Sequence, residues 1–345
     1  METHKDNQLS EEARIRQKIA RYLKNLPSEV LEVQSNPSVE VLKLFHGAYN
    51  LNYHVKVDGR DFLFRINIEQ QSGLAAQIEY EFQAIKFMSI YGIAPKCYYF
   101  DDTKQHFEFG ILIEEYLHGP HISLIPEEMP QIAELLVRLH ALKPVHLPLM
   151  IWKDPLMDNY DMVCADLMEY EAKKTPDEKI IKLARQFLGK IKPTLPEYHS
   201  LYQPDGINHT DTAIDNFIHT VQGVKLIDWE KPRLDDCSYD VSCFLCEPCQ
   251  LWCTTETLSP QGHEIFLETY IRLSEREPEL FRQKVKIRMP LLSMHWILWG
   301  ANRLCDVRDN FMATELQDVK EVKIPRWERI ADPRNIEKLL DTNIK

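Results

Sequence analysis

Residues 209–230 read HTDTAIDNFIHTVQGVKLIDWE. Four acidic residues and Asn216 stand here among apolar side chains. Carboxylates in a buried setting are costly unless they are paired or hold a metal. The runs NFIHT and VKLID flank a turn at Gln222-Gly223 and read as a short β-hairpin. Pairing of that hairpin brings its two ends, Asn216 and Asp228, together. His209, Asp211 and Asn216 fit H-x-D-x-x-x-x-N, with Asp211 on the loop that precedes the hairpin.

This residue set suits phosphoryl transfer from ATP. Asn216 and Asp228 offer the hard oxygen ligands that Mg²⁺ takes. Asp211 is placed to accept a proton from an attacking hydroxyl, or to orient it. His209 reads as a brace for the loop. The same chemistry asks for a cation at the α- and β-phosphates, a helix Glu to hold it and a tight loop over the phosphates. Arg65 ends FLFRI, Glu81 lies in the helical run that follows, and Gly47 and Ala48 lie in HGAYN, with Asn50 closing it.

Working outward, residues 10–26 have helical periodicity, with Ile15, Ile19, Tyr22 and Leu23 on one face. VEVLKLF, LNYHVKVD and DFLFRINI read as strands, the last two joined through the hairpin signal Asp58-Gly59. LAAQIEYEFQAIKFMSIYG reads as a helix stopped by Gly92 and Pro95, and KCYYFDD and FGILIEEYL as two more strands. Residues 1–117 are thus expected to form a small five-stranded antiparallel lobe with a leading helix and one further helix. From residue 118 the patterns turn helical: MPQIAELLVRLHAL, YDMVCADLMEYEAKK, EKIIKLARQFLGKI, HEIFLETYIRLSE and RQKVKIRMPLLSMHWILWGANRLCDV. Residues 118–345 are expected to be a large helical lobe with one β insert, in a two-lobed α+β fold with a ligand cleft as the default expectation.

The pieces LFHGAYNLNYHV, FLFRI, EFQAIKFMSIYGIAPKCYYF, ILIEEYLHG, LLVRLHAL, HTDTAIDNFI, LIDWE and YDVSCFL resemble the aminoglycoside phosphotransferase and choline/ethanolamine kinase superfamily, which has a protein-kinase-like fold. The resemblance covers nearly the whole chain after about residue 40. It implies that Asp211 is the catalytic-loop Asp, that Asn216 and Asp228 bind Mg²⁺, and that Glu81 partners the phosphate-binding cation. It implies a hinge at residues 114–117, including Glu115, Tyr116 and Leu117, that meets adenine. Arg65 stands where protein kinases have Lys, and Trp229 where they have the Phe of D-F-G; both departures occur in this family. The absence of a full G-x-G-x-x-G loop speaks against a protein kinase.

The 345 residues carry a net charge of −12, with 44 % apolar and 27 % charged residues. That balance argues against a nucleic-acid or anionic-membrane binder and is compatible with a cationic small-molecule substrate. No signal peptide or spanning segment is legible, so a cytoplasmic protein with reduced thiols is expected. Oligomeric state is not legible.

Cys243, Cys246, Cys249 and Cys253 fit C-x₂-C-x₂-C-x₃-C, a ferredoxin-like run, but Thr254 stands where that run has Pro. On one helix these spacings put the thiols along one face, as small apolar residues. Pro248 is expected to kink or end that helix. Asp240 is expected to cap a helix and brace the catalytic loop, and His140 to be a satisfied inter-helix histidine. Trp296 and Trp299, three apart on a helix, present rings on one face, either to pack that helix against the lobe core or to form an aromatic wall for a cation. Choline kinases carry a similar W-x-x-W that lines the choline site, and Glu230 is the nearby candidate for charge complementarity. The favoured acceptor is choline, ethanolamine or a similar amino alcohol. An aminoglycoside-like substrate, for which Asp306, Asp309 and Glu315 offer carboxylates, is the alternative. A nucleotide-binding pseudokinase is opposed by the complete catalytic set.

Overall fold

The computed structural model describes residues 11–46, 50–68, 74, 76–144, 146–309 and 319–342. The described chain forms two compact units. One takes the residues up to His118 together with Trp229–Lys231; the other takes Gly119–Asp228 and the residues from Pro232 onward.

The first unit contains α1 (Glu11–Asn25), α2 (Ser28–Leu31), β1 (Val39–His46), β2 (Asn50–Val57), β3 (Arg60–Asn67), α3 (Gln77–Ile90), β4 (Cys97–Asp101) and β5 (Ile111–Glu115). The strands form one antiparallel sheet in the order β1-β2-β3-β5-β4. Asp58 and Gly59 both take positive φ, 48° and 77°, the type I′ geometry that matches the twist of a hairpin. That turn fixes the register: Val57 pairs with Arg60 and Asn52 with Arg65. Alternation then sorts the side chains. Tyr53, Val55, Phe62, Phe64, Ile111 and Ile113 form one apolar face, which Ile19, Tyr22 and Leu23 of α1 help to bury. Asn52, His54, Arg65 and Glu114 belong to the opposite face, which α3 approaches through Glu81.

The second unit begins with α4 (Met129–His140), β6 (Met150–Ile151), α5 (Pro155–Glu171), α6 (Glu178–Ile191), α7 (Leu195–Tyr198) and β7 (Gly206–Asn208). There follow β8 (Phe217–Thr220), β9 (Gly223–Leu226), β10 (Arg233–Asp235), α8 (Ser238–Leu245) and α9 (Glu247–Cys253). The chain continues through α10 (Pro260–Ser274), α11 (Pro278–Arg308), α12 (Ile324–Ile330) and α13 (Pro333–Asp341). The β8–β9 hairpin pairs Phe217 with Leu226, and a small sheet runs β6-β10-β7. Gly119 lies against this hairpin; its φ is 152° and a Cβ there would run into the His219 carbonyl. The main core is built from α5, α6, α11, α12 and α13 side chains. The last long helix is longer than its sequence pattern suggested, starting at Pro278 and carrying Pro290 inside it. No helix among the described residues is long and apolar enough to cross a membrane.

Two expectations need correction. Cys243, Cys246, Cys249 and Cys253 do not share one helix: α8 ends at Leu245, Cys246 is extended (φ −74°, ψ 130°), and α9 starts at Glu247. Pro248 opens the second helix, where its missing N–H costs nothing, and the break comes two residues earlier. Asp240 is not a cap either. It lies in the first turn of α8, whose N-cap position is Cys237 and has no side-chain capping bond.

Candidate active site

In the second unit the functional stretch is held from behind. Asp240 is fully buried, and its carboxylate accepts from the backbone N–H of His209 at 2.7 Å and of Thr210 at 2.8 Å. His140 lies 3.2 Å from the same carboxylate through Nε2, and its Nδ1 is 2.6 Å from the Tyr270 hydroxyl. Burial alone would raise the Asp240 carboxyl. The hydrogen bond from His140 and the backbone N–H groups of the loop outweigh it and hold the carboxyl below its ordinary range. Thr212 adds a hydroxyl bond to the Asp240 carbonyl at 2.9 Å. This bracing carries strain, because Thr210 takes φ 75°, a region a β-branched residue avoids.

His209 ties the loop to the hairpin. Its Nε2–H donates to the Ile227 carbonyl at 2.9 Å, and its Nδ1 accepts from the Asp211 N–H at 3.3 Å. Those two bonds define a neutral ring with the proton on Nε2. Asn216 donates its amide to the Asp211 carbonyl at 3.0 Å, and the Ile227 N–H donates to the Asn216 carbonyl at 2.9 Å. The hairpin therefore sets Asn216 beside the turn into Asp228, which takes φ 68°. Asp211 and Asp228 are each partly exposed. One amide oxygen and one carboxylate fit Mg²⁺, which keeps few protein ligands when phosphates supply the rest.

In the first unit Arg65 is the centre. Its guanidinium is 3 % exposed and lies 3.2 Å from Glu81, 3.7 Å from Glu114 and 3.2 Å from the Asn52 side-chain oxygen. Gln77, one helical turn before Glu81, donates to it at 3.0 Å and to the Glu230 carbonyl at 2.6 Å. Glu230 is 7 % exposed and bonds the Asn50 amide, so it is no surface carboxylate. Asn67 bonds Asn50 in turn at 3.1 Å. Glu115 turns to the sheet edge, where its carboxylate accepts from the Lys96 N–H at 3.0 Å. Tyr116 and Leu117 follow it, half-buried. Gly47 and Ala48 lie outside the described residues.

The tryptophans belong to the second unit. Trp296 is 7 % exposed and shares an apolar cluster with Ala213, Cys243, Cys246 and Cys249. Trp299 and Trp252 pack on it. The ring centres of Trp252 and Trp299 are 4.0 Å apart, and those of Trp296 and Trp299 6.0 Å. Trp252 also stacks on Trp327 at 5.7 Å. The buried Trp296 indole N–H has no hydrogen-bond partner among the described residues. Cys243 and Cys249 bring their sulfurs to 3.8 Å inside the cluster, as small buried residues.

Sequence reasoning missed Asn52, Gln77 and Trp252, and it placed Glu114 in the hinge without seeing that its carboxylate faces Arg65. Asn52 was within reach, because counting back from the Asp58-Gly59 turn pairs it with Arg65. It also missed the anchor of α11. Arg288, fully buried, bonds Asp235 at 2.7 Å, while Lys284 bonds Asp236 at 2.7 Å. These pairs hold the helix that carries Trp296 against β10.

A small antiparallel β lobe with a helix, a mainly helical lobe and these two charge clusters define a protein-kinase-like fold. Residues 40–280 match the phosphotransferase enzyme family, and the chain belongs to that family. Solved structures agree in fold. A Plasmodium vivax ethanolamine kinase is 18 % identical with a TM-score of 0.64, over 97 % of this chain and 93 % of that one. A choline kinase from Cryptosporidium parvum is 16 % identical with a TM-score of 0.65, over 95 % and 97 %. A putative aminoglycoside phosphotransferase from Ralstonia eutropha is 15 % identical with a TM-score of 0.61, over 90 % and 98 %. No curated protein matches in sequence. Family membership makes the chain a phosphotransferase and implies that it uses a nucleotide and a metal.

Proposed function

We propose that this protein transfers the γ-phosphoryl group of ATP to the hydroxyl of a small cationic amino alcohol, choline or ethanolamine being the favoured acceptors. Bound Mg²⁺ would neutralise charge on the β- and γ-phosphates. Asn216 and Asp228 are the residues that would hold it. Arg65, fixed by Glu81 and Glu114, meets the α- and β-phosphates, and residues 115–117 meet the adenine. Gly47 and Ala48 belong to the loop over the phosphates. Asp211 accepts the proton of the acceptor hydroxyl or orients it for in-line attack. His209 and Asp240 keep Asp211 in place, so catalysis comes mainly from positioning.

The observation that carries the acceptor assignment is the aromatic cluster around Trp296 and Trp299. It packs against Ala213, two residues from Asp211, and holds a buried indole N–H without an acceptor among the described residues. A ligand oxygen can satisfy that donor, and ring faces suit a quaternary ammonium, which donates no hydrogen bonds, at about 0.5–2 kcal/mol each. Arg303 already stands 4.9 Å from the Trp299 ring centre, so a cation uses that ring within the protein itself. The aminoglycoside-like alternative loses support from its own carboxylates. Asp306 is paired with Lys173 at 2.7 Å, and Asp309 accepts from the Lys174 N–H and the Thr175 hydroxyl. Glu315 lies outside the described residues. Glu230 is committed to Asn50, so we assign it to shaping the nucleotide side.

The test is ADP release by purified protein across a panel of amino alcohols and aminoglycosides. Turnover with choline or ethanolamine is expected. Turnover with aminoglycosides alone would move the assignment to the alternative, and nucleotide binding without turnover on any hydroxyl compound would favour a pseudokinase.

A further inference from the structure

The polar face of the five-stranded sheet continues beyond Arg65. Pairing sets His54 opposite Leu63 and Lys56 opposite Asp61. His54 is the next position after Asn52 on that face, about 7 Å further along β2. Glu114 of β5 pairs with Leu63, and Tyr116 follows two residues later. There the His54 imidazole lies flat on the Tyr116 ring, with centres 3.8 Å apart and planes 11° from parallel. The rim of the imidazole is fixed as well. His54 Nε2 is 2.7 Å from one Asp61 oxygen, and His118 Nε2 is 3.2 Å from the other. Lys56 adds its charge at 3.8 Å. Burial alone would raise the Asp61 carboxyl, but the His54 bond, the Lys56 and His54 charges and the His118 bond hold it below its ordinary range. An ionised carboxylate only accepts, so Nε2 of His54 carries the proton.

A ring clamped by edge and face, next to the amides of Asn50 and Asn52 on the same strand face, calls for a reason. We propose that His54 is a base-positioning residue for the nucleotide. Asp61 sets the rotation of its ring, and the ring sets Tyr116 in the segment that meets adenine. The inference rests on the proposed assignment of Arg65 to the nucleotide phosphates and of residues 115–117 to the adenine.

Calorimetric titration with a non-hydrolysable ATP analogue and Mg²⁺ tests it on wild type, His54→Ala, His54→Phe and Asp61→Asn, with thermal melts alongside. His54→Ala is expected to weaken binding about 3–10-fold, the range for losing an aromatic stack. His54→Phe keeps a flat ring on Tyr116 and is expected to stay within about 2-fold of wild type, with Asp61→Asn between the two. The KM for the acceptor should not change in any of them. His54→Ala binding like wild type with only a lower melting temperature would overturn the inference and leave the stack as a structural tie. His54→Phe binding no better than His54→Ala would overturn it too. If wild type binds no analogue, the nucleotide assignment of Arg65 itself falls, a result that needs no variant to read.

Discussion

The Arg65 cluster and the Asp211 loop are held by different means. Around Arg65 the backbone is regular strand and helix, and the geometry comes from side chains meeting side chains: Glu81, Glu114, Asn52 and Gln77. Around Asp211 the backbone itself is bent, with positive φ at Thr210 and Asp228, and a single carboxylate 30 residues away gathers its N–H groups. In the first region, substituting Asn52 or Glu114 removes one partner of Arg65 and leaves the others in place. In the second, loss of Asp240 leaves two buried donors without an acceptor and releases a strained segment.

The comparison can be broken most forcefully at Asp211. Asp211→Ala is expected to lower turnover about 10²–10⁴-fold, the usual cost of losing a general base, while nucleotide binding survives. Steady-state rates beside calorimetric nucleotide binding check both halves. Comparable loss in binding would mean that Asp211 shapes the site and takes no part in the chemistry.

Asp240→Asn comes next. Replacing the acceptor pair of a charged carboxylate should destabilise the protein by about 1–3 kcal/mol and lower turnover with it. The pH dependence sharpens this. Asp240 has a folded pKa below its unfolded value, so its contribution is present above the unfolded value and is lost as pH falls through the folded one. Denaturant melts should show wild-type stability declining through the acidic range in part through this group. Asp240→Asn should lack that part of the decline. Parallel pH profiles for the two proteins would place the acid sensitivity elsewhere.

These two regions were unequally legible in the sequence. Arg65 and Glu81 could be found because each sits on a periodic element, and the hairpin turn fixes what faces Arg65. The H-x-D-x-x-x-x-N spacing likewise exposed Asp211 and Asn216. Asp240 was visible as a brace, but its mistaken capping role shows the limit: a first-turn Asp in sequence does not reveal whether its oxygens serve its own helix or a distant loop. The break at Cys246 escaped for a related reason. Pro248 suits a first helical turn as well as it suits a stop, and only tertiary packing selects between them. The partners of Arg288 lie more than 50 residues away in sequence, beyond any local period.

A smaller effect is expected at the tryptophans. Trp296→Ala should raise the KM for choline or ethanolamine several-fold more than that for ATP, from losing about 0.5–2 kcal/mol of ring contact. Trp299→Ala should do less, since Arg303 occupies part of that ring. Equal rises for both substrates would make the cluster core alone. The smallest effect on activity is expected for Cys249→Ser, which should lower stability by about 1–3 kcal/mol through a buried hydroxyl, leave turnover unchanged and leave no change in bound iron. A visible absorption in anaerobically purified protein that the substitution abolishes would contradict that reading of the thiols.

The central claim is that this phosphotransferase acts on an amino alcohol, and phosphorus NMR of one reaction mixture tests it most directly. Purified protein, Mg²⁺, ATP and choline or ethanolamine are predicted to give a phosphomonoester resonance that grows in step with ADP, and Asp211→Ala is predicted to suppress both. ATP that stays intact with both amino alcohols, in protein shown to bind it, would contradict the account.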